Sequence, residues 1–218
     1  MNANAGILSS ERISFLIHNE DSYFRHDGES RYWGKVIPHL QQHDKFYFIT
    51  IRLGDAVPHE TLEYFLAMRK QLEGKGDSTA LHNLWVQYES DIHKYLDRGY
   101  GDCLLRNPVV RKELERTLEE RDGIDYRLLS YVIMPNHIHM LMFIPGIEGL
   151  DTIIRWIKKV SAYRINNATG RSGRIWQREY YDRIVRDKAD LIGKCEYIRK
   201  NPAYLPVGTY TLREQLRY

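Results

Sequence analysis

The sequence contains no long apolar run and very little cysteine. A membrane-spanning helix needs roughly 18 consecutive apolar residues, and no segment approaches that length, which excludes a helical membrane protein. The two cysteines, Cys103 and Cys195, are too few for a disulfide framework or a four-cysteine zinc site. Residues 1–11 lack the charged region, apolar core and cleavage site of a signal peptide. We therefore expect a reduced, cytoplasmic protein with no membrane partner.

Repeats and low-complexity segments are also absent, and 218 residues suit one domain with additions. The net charge is only +3, but it is unevenly distributed. Residues 151–200 contain 13 Lys and Arg against 6 Asp and Glu, a local charge of +7, so the other residues together carry −4. This asymmetry is typical of a protein that holds a polyanion against one part of its surface, although a solvated charged helix face would give the same count.

Patterns of apolar residues predict alternating strands and helices. Segments rich in β-branched and aromatic residues predict strands over 45–53, 126–133, 137–144 and, as a strand or extended segment, 175–185. Helical spacing predicts helices over 58–73, 80–121, 150–167 and 188–200, with 80–121 as an insertion. The order is close to β-α-β-β-α-β, which is typical of an α+β antiparallel sheet with helices packed on it. Residues 1–44 are predicted to be an N-terminal arm or short helical addition of unknown role, and 208–218 a C-terminal tail.

Two histidines lie two residues apart in an apolar segment with strand composition. Successive side chains of a strand alternate between its faces, so His137 and His139 point the same way while Ile138 points to the opposite face. Neutral imidazole is the commonest metal ligand in proteins, and a strand would hold the two rings at a fixed spacing. The pair is therefore either half of a divalent-metal site or two unrelated histidines on a half-buried strand.

A tyrosine and an asparagine share one face of the last predicted helix. Tyr197 and Asn201 are four residues apart, and Pro202 predicts that the helix ends about there. A phenol can act as a nucleophile, and a carboxamide can supply a further metal ligand. Separately, such a tyrosine usually lies half in the core, and an asparagine before proline usually forms a cap or a turn.

These features belong to an ordered set of segments: Phe48–Leu53, Met134–His139, Ile157–Lys159 with Ser161, Ala162 and Asn166, Trp176–Gln177, Tyr181–Arg183 with Arg186 and Asp187, and Tyr197–Ile198 with Asn201 and Pro202. The set resembles the HUH single-strand DNA transposases with one catalytic tyrosine, and most closely the REP-associated tyrosine transposases. The resemblance covers roughly residues 45–207 in consistent order. It implies a ferredoxin-like palm over that range, with an additional helix that carries the tyrosine.

The resemblance also implies a reaction. The protein would cut and rejoin single-stranded or hairpin DNA, with Tyr197 as the attacking oxygen and a 5′-phosphotyrosine link as the intermediate. His137 and His139 would be ligands of Mg²⁺ or Mn²⁺, with Asn201 as a third ligand. The insertion-sequence branch has glutamine at this last position, so direct ligation by the Asn201 amide stays open. The resemblance also leaves open whether Tyr197 completes the site of its own chain or that of a partner in a homodimer.

Several further residues have two interpretations each. Tyr180 and Tyr181 are rival nucleophiles that lack the helix and the amide. Asp182 matches a family position and would either orient a histidine or form a surface salt bridge with one of two neighbouring arginines, Arg183 or Arg186. Trp176 would stack on a base or pack in the core. Five basic residues are candidates for phosphate contacts: Arg155, Lys158, Lys159, Arg171 and Arg174. The remaining histidines have no partnered spacing and are expected on the surface or in the core: His18, His26, His39, His43, His59, His82 and His93.

Two other functions compete with transposition. One is an HUH endonuclease of replication or conjugation, which usually carries a helicase or another long domain. The other is a non-catalytic nucleic-acid-binding module, in which aromatic residues on the first strand (Phe46, Tyr47 and Phe48) would stack on bases. Such a module has no need of the two histidines, the tyrosine and the asparagine together.

Overall fold

The computed structural model describes residues 9–33, 39–146 and 149–215. Its helices are α1 (Ser10–Leu16), α2 (His59–Lys75), α3 (Ser78–Asp97), α4 (Pro108–Glu120), α5 (Leu150–Thr169) and α6 (Lys188–Lys200). Its strands are β1 (Arg31–Trp33), β2 (His39–Gln41), β3 (Lys45–Arg52), β4 (Arg127–Ile133), β5 (His137–Ile144), β6 (Tyr181–Ile184) and β7 (Thr211–Glu214). Within this part of the chain, every helix is too short or too polar to span a membrane.

Five strands form one antiparallel sheet in the order β6-β3-β5-β4-β7. The first four are the strands of the predicted β-α-β-β-α-β unit, and their order is that of a ferredoxin-like sheet. Strand β5 lies in the centre and all eight of its residues are buried, which requires cover on both faces. The predicted α+β antiparallel fold is confirmed.

The two faces of the sheet are covered by different helices. On one face, alternate β5 residues such as Met140 and Met142 pack with apolar side chains of α2 to α5. On the other face, Leu141 and Phe143 pack with apolar side chains of α1 and α6. Residues of a strand that are two positions apart point to the same face. His137 and His139 therefore share the face of Leu141, which α6 covers, and Met140 points to the opposite face.

Part of the predicted N-terminal arm is built into this second face. Ile13 and Leu16 of α1 are buried in the same cluster as Phe46, together with Ile17, which follows the helix. Tyr23 is buried there too, and its hydroxyl donates a hydrogen bond to the Ile17 carbonyl at 2.7 Å. The predicted short helical addition is therefore present, packed on the sheet. Residues 1–8 and 34–38 of the predicted arm lie outside the described residues.

The helical insertion predicted over 80–121 consists of two helices, because the chain leaves helical geometry between α3 and α4. Gly99 and Gly101 adopt positive φ angles of 65° and 89°, which favour glycine. A Cβ atom at Gly101 would lie 2.6 Å from the carbonyl oxygen of Asp55. Helix α4 then starts afresh at Pro108, where the Asn107 side chain caps it by accepting from the Val109 amide at 2.9 Å.

The predicted C-terminal tail contains a strand. Residues 211–214 form β7, which pairs antiparallel with β4 and extends the sheet at that edge. The buried Arg111 of α4 also holds this segment, because its guanidinium donates to the Gly208 carbonyl. The tail prediction is wrong for 211–214, and residues 216–218 lie outside the described residues.

Asp182 pairs with His39, a histidine that lies outside every motif found in the sequence. It is buried on β6 and bonded to His39 Nδ1 of β2, while His39 Nε2 lies 3.9 Å from the Glu179 carboxylate. The predicted surface salt bridge to Arg183 or Arg186 is therefore wrong, and the histidine that Asp182 orients is not one of the β5 pair. Burial alone would lower the pKa of His39, but the two carboxylates outweigh it and raise that pKa to about 9. The buried pair therefore ties the N-terminal segment to β6.

We expect the free energy of unfolding to depend on pH through His39. Its pKa is raised above the ordinary value of about 6.5, so its stabilising contribution should be complete below about pH 6.5 and lost as the pH rises through about 9. Asp182→Ala leaves a buried cation without its partner, so it should lower the free energy of unfolding near pH 6.5 by about 3 kcal/mol and flatten this pH dependence. Urea unfolding at several pH values measures both effects.

Asp27→Ala is the matched control, because Asp27 forms an ion pair with Arg25 on the surface. Because solvent screens a surface ion pair, this substitution should leave stability nearly unchanged at every pH. Equal losses in the two variants would contradict the importance of the buried pair.

Candidate active site

The two histidines of β5 converge as the strand pattern predicts. His137 Nε2 and His139 Nε2 lie 3.0 Å apart, and their ring planes are inclined by 75°. Both side chains are buried. The predicted placement on one face is confirmed, and the two rings present the same kind of nitrogen to one point.

Asn136 fixes the tautomer of His137. Its side-chain nitrogen donates to the Tyr100 carbonyl at 3.0 Å, so its oxygen faces His137 Nδ1 at 2.8 Å. An amide oxygen can only accept, so His137 carries its proton on Nδ1 and keeps a lone pair on Nε2. On the neighbouring strand Thr50 Oγ1 lies 2.7 Å from His139 Nδ1 and holds the orientation of that ring.

Both imidazoles are neutral near pH 7. Burial lowers the pKa of His137 to about 3, and the nearby His93 adds to the effect. Burial also lowers the pKa of His139 well below its ordinary value, with further contributions from His137, His93 and Lys194. The two Nε2 atoms lie within hydrogen-bond distance of each other, so a proton or a cation can be shared between them. A neutral imidazole can also serve as a metal ligand, so the pair could bind a divalent cation.

Helix α6 brings Tyr197 to the same place within one chain. The Asp187 side chain caps the start of α6 by accepting from the Asp190 amide, and the helix packs on the sheet through its buried face. The Tyr197 hydroxyl lies 3.4 Å from His139 Nε2. Its side chain is 39% exposed, unlike the histidines, so the phenol lies between the buried pair and solvent. Burial and Asp97 raise the pKa of Tyr197, and a hydrogen bond from Asn201 opposes them.

Asn201 lies where α6 ends, as predicted, and a short 3-10 helix over Asn201–Tyr204 follows. Its side-chain oxygen is buried and accepts no hydrogen bond from any residue that the structure describes. A buried polar atom without a partner costs about 1–3 kcal/mol, and a missing ligand is one physical reason for it.

These three groups could hold a divalent ion. Two nitrogens about 2.1 Å from an octahedral ion, on adjacent positions, lie about 3.0 Å apart, which equals the distance between the two Nε2 atoms. In residues 9–33, 39–146 and 149–215, no group of three or more His, Cys, Asp or Glu is placed to bind a metal. A third protein ligand would therefore be the amide oxygen of Asn201, with water or substrate oxygens in the remaining positions.

The rival tyrosines have other neighbours. The Tyr180 ring stacks on His39, with centroids 4.4 Å apart. Tyr181 lies under the guanidinium of Arg183, and burial raises its pKa to about 12. Only Tyr197 has a hydrogen-bond contact with His139 among these three tyrosines of the described chain.

The five predicted phosphate-binding residues are not brought to the histidines. The helix that carries three of them, α5, packs on the opposite face of the sheet. Arg155 is paired with Asp151 at 2.8 Å, and Arg171 lies 3.6 Å from Asp102. The Lys158 ammonium donates to the Arg178 carbonyl at 2.7 Å, and burial lowers its pKa to about 8.

Lys159 and Arg174 are exposed and border a groove of about 320 Å³. Phosphate contact by all five basic residues stays a prediction. Trp176, at the floor of the same groove, is buried and donates from Nε1 to Ser161 Oγ at 2.9 Å. It packs in the core, so base stacking by Trp176 is wrong.

Comparison with known proteins decides the family. Residues 90–201 match a sequence model described as an IS200-like transposase, and this range is just over half of the chain. The chain belongs to the IS200-like transposase family. The matched range contains His137, His139, Tyr197 and Asn201, so the resemblance to single-tyrosine transposases is confirmed.

Two relatives of this IS200-like transposase are instructive. A Haemophilus influenzae protein, named as a REP-associated tyrosine transposase, is 29% identical over 87 residues, which are 35% of this chain and 49% of the relative. The chain thus spans about half the length of that curated relative. A solved structure of a REP-associated tyrosine transposase bound to a REP hairpin covers 80% of this chain and 73% of its own, with 18% identity and a TM-score of 0.41.

We expect Asn136 to control metal affinity without being a ligand. Asn136→Ala removes the acceptor that fixes the His137 tautomer, so Mn²⁺ should bind about 10–100-fold more weakly. The double variant His137→Ala/His139→Ala should bind no Mn²⁺ at all. Isothermal titration calorimetry measures both without any DNA. Asn166→Ala is the control, because Asn166 also donates to a carbonyl, that of Gly173 at 2.9 Å, but in the loop after α5. Unchanged Mn²⁺ affinity in Asn136→Ala would contradict the tautomer argument.

Proposed function

We propose that this IS200-like transposase cuts and rejoins single-stranded or hairpin DNA through a covalent link to Tyr197. His137, His139 and Asn201 would hold Mg²⁺ or Mn²⁺ beside the phenol. The observation that carries the proposal is the 3.4 Å contact between the Tyr197 hydroxyl and His139 Nε2, an atom that also lies 3.0 Å from His137 Nε2. The alternative is that the phenol simply packs on a structural histidine pair. That role would not need two neutral imidazoles that converge beside the phenol.

The reaction divides between the ion and the side chains. When bound, the cation would act as a Lewis acid and hold the scissile phosphate in place. The Tyr197 oxygen would form a bond to phosphorus while the bond from phosphorus to the 3′ oxygen breaks, which gives a 5′-phosphotyrosine and a free 3′-hydroxyl. The phenol must lose a proton during attack, and the hydrogen bond from Asn201 partly offsets the burial and the Asp97 charge that raise its pKa. Partial exposure of Tyr197 lets solvent take this proton, and solvent would also supply the proton that converts the leaving 3′ oxygen to a hydroxyl.

The geometry also favours a flexible substrate. His137 and His139 are buried, whereas Tyr197 is 39% exposed, so DNA must approach from the side of α6. A single strand can insert one phosphate into such a site more easily than a stiff duplex. Because the curated relative is named as REP-associated, a palindromic hairpin with a single-stranded flank is the first substrate to test.

The rival binding module loses its main support in this fold. Phe46 and Tyr47 are fully buried and Phe48 is 5% exposed, so these aromatic residues cannot stack on bases in solution. All three are covered by helices on one face or the other. The sheet therefore offers no open platform of the kind that RNA-recognition sheets use.

We expect a denaturant-resistant protein–DNA adduct when the protein is incubated with labelled hairpin DNA and Mn²⁺. Tyr197→Phe removes one oxygen with little effect on packing, and it should abolish the adduct and slow cleavage by at least about 10³-fold. Denaturing gel electrophoresis measures the adduct, and gel-shift assays should show unchanged DNA binding.

Tyr204→Phe is the control, because Tyr204 is 99% exposed just beyond α6. If the adduct survives in Tyr197→Phe but is lost in Tyr180→Phe or Tyr181→Phe, the nucleophile is Tyr180 or Tyr181 and not Tyr197. Cleavage without an adduct in any variant would mean that water attacks, and the protein would then be a hydrolytic nuclease.

A further inference from the structure

Lys194 lies beside the active site although no sequence motif points to it. It is three residues before Tyr197 on α6, and residues at this spacing share a helix face. Its ammonium lies 5.0 Å from the centroid of the Phe48 ring, and the side chain is 24% exposed. The cation is therefore half-buried on the same face as the nucleophile.

The Phe48 ring joins Lys194 to the rest of the site. It stacks on His139 with centroids 5.3 Å apart and planes inclined by 23°. It also meets the Tyr197 ring edge-on, with centroids 5.7 Å apart. One aromatic ring thus contacts a histidine of the pair, the phenol and the ammonium, so the three functional groups surround a common point.

The ammonium of Lys194 has three donors and no acceptor within hydrogen-bond distance. Its nearest carboxylate, Asp190 Oδ1, lies 3.9 Å away, which is beyond a hydrogen bond. The other oxygen of Asp190 accepts from the Arg186 amide at 3.0 Å. In the described part of the chain, Lys194 donates no hydrogen bond. The only carboxylate contact of Lys194 in that part of the chain is therefore a long one, and its three donors can engage an anion.

The charges around Lys194 also favour an anion. Its pKa is lowered by burial and by the neighbouring cations Arg183 and Arg186, and Asp190 offsets this only in part. The charge of Lys194 extends to His139, whose pKa it helps to lower. Arg183 and Arg186 are exposed and close enough to Lys194 to affect its pKa, so these three cations lie near one another on this side of the protein.

We propose that Lys194 binds a non-bridging oxygen of the scissile phosphate and stabilises the negative charge that develops there as Tyr197 attacks. The proposal rests on the proposed function, because it needs a phosphodiester at Tyr197. Arg183 and Arg186 would contact the neighbouring phosphates, so the strand crosses the β6 and α6 side of the molecule. Preorganised cations of this kind are worth about 10²–10³-fold in rate.

The test compares Lys194→Met with Lys194→Arg in single-turnover cleavage of the hairpin. Methionine keeps the apolar contact with Phe48 and removes the charge, so cleavage should slow by at least about 10²-fold. Arginine keeps the charge, so its rate should stay within about tenfold of the wild type. Lys188→Met is the control on the same helix, because Lys188 lies on the surface beside His18, where the ammonium is 3.0 Å from Nε2. It should cleave like the wild type.

A substrate with a methylphosphonate at the scissile position separates a contact from a structural effect. This change replaces one charged non-bridging oxygen, so it should slow the wild type strongly in at least one diastereomer. In Lys194→Met the same change should cost much less, because the partner of that oxygen is already gone. Additive losses, with Mn²⁺ affinity and thermal stability unchanged, would overturn the assignment.

The outcomes for Lys194 and for the proposed function differ. If the wild type forms the Tyr197 adduct and Lys194→Met cleaves equally fast, only the role of Lys194 is wrong. If the wild type forms no adduct with any DNA, the proposed function itself fails, and the assignment of Lys194 falls with it.

Discussion

The register between β3 and β5 is the constraint on which the site depends. Thr50 pairs with His139, and Phe48, two residues earlier on β3, stacks on the same ring. A slip of one residue would turn the β5 histidines toward α5 and place methionines beneath the tyrosine helix. Packing prevents this slip, because both faces of β5 are buried against different helices. The apolar side chains of the sheet thus fix the position of every polar group in the site.

Local patterns were sufficient for the elements that carry the chemistry. Strand β5 and helix α6 have the predicted bounds, 137–144 and 188–200, because alternation, the Asp187 cap and Pro202 are all local signals. Predictions failed where partners are distant in sequence. His39 and Asp182 are separated by 143 positions, and β7 depends on a free edge beside β4. The break at Gly99 and Gly101 was readable, since two nearby glycines rarely lie within one helix.

The basic residues of the segment 151–200 lie on two opposite sides of the sheet, and the charge of the segment does not show which residues lie on which side. The excess over residues 151–200 is real, yet α5 and α6 cover opposite faces of the sheet. Cations on α5 such as Arg155 and Lys158 are engaged by Asp151 and the Arg178 carbonyl. Among the described residues, Lys194 has only the 3.9 Å contact with Asp190. Linear sequence gives no information about which helix lies beside the nucleophile, because that depends on the right-handed crossovers of the fold. The charge of the segment therefore predicts that a polyanion binds, but it does not predict which surface the polyanion crosses.

The polar groups of the site differ in the charge of the partner that each can take. The neutral imidazoles and the buried oxygen of Asn201 can bind a cation, whereas the half-buried ammonium of Lys194 can bind an anion. Under the proposed function, a metal-bound phosphodiester would supply both charges at once. The site would then be complementary to an ion and a phosphate together, and either one alone would engage only part of it.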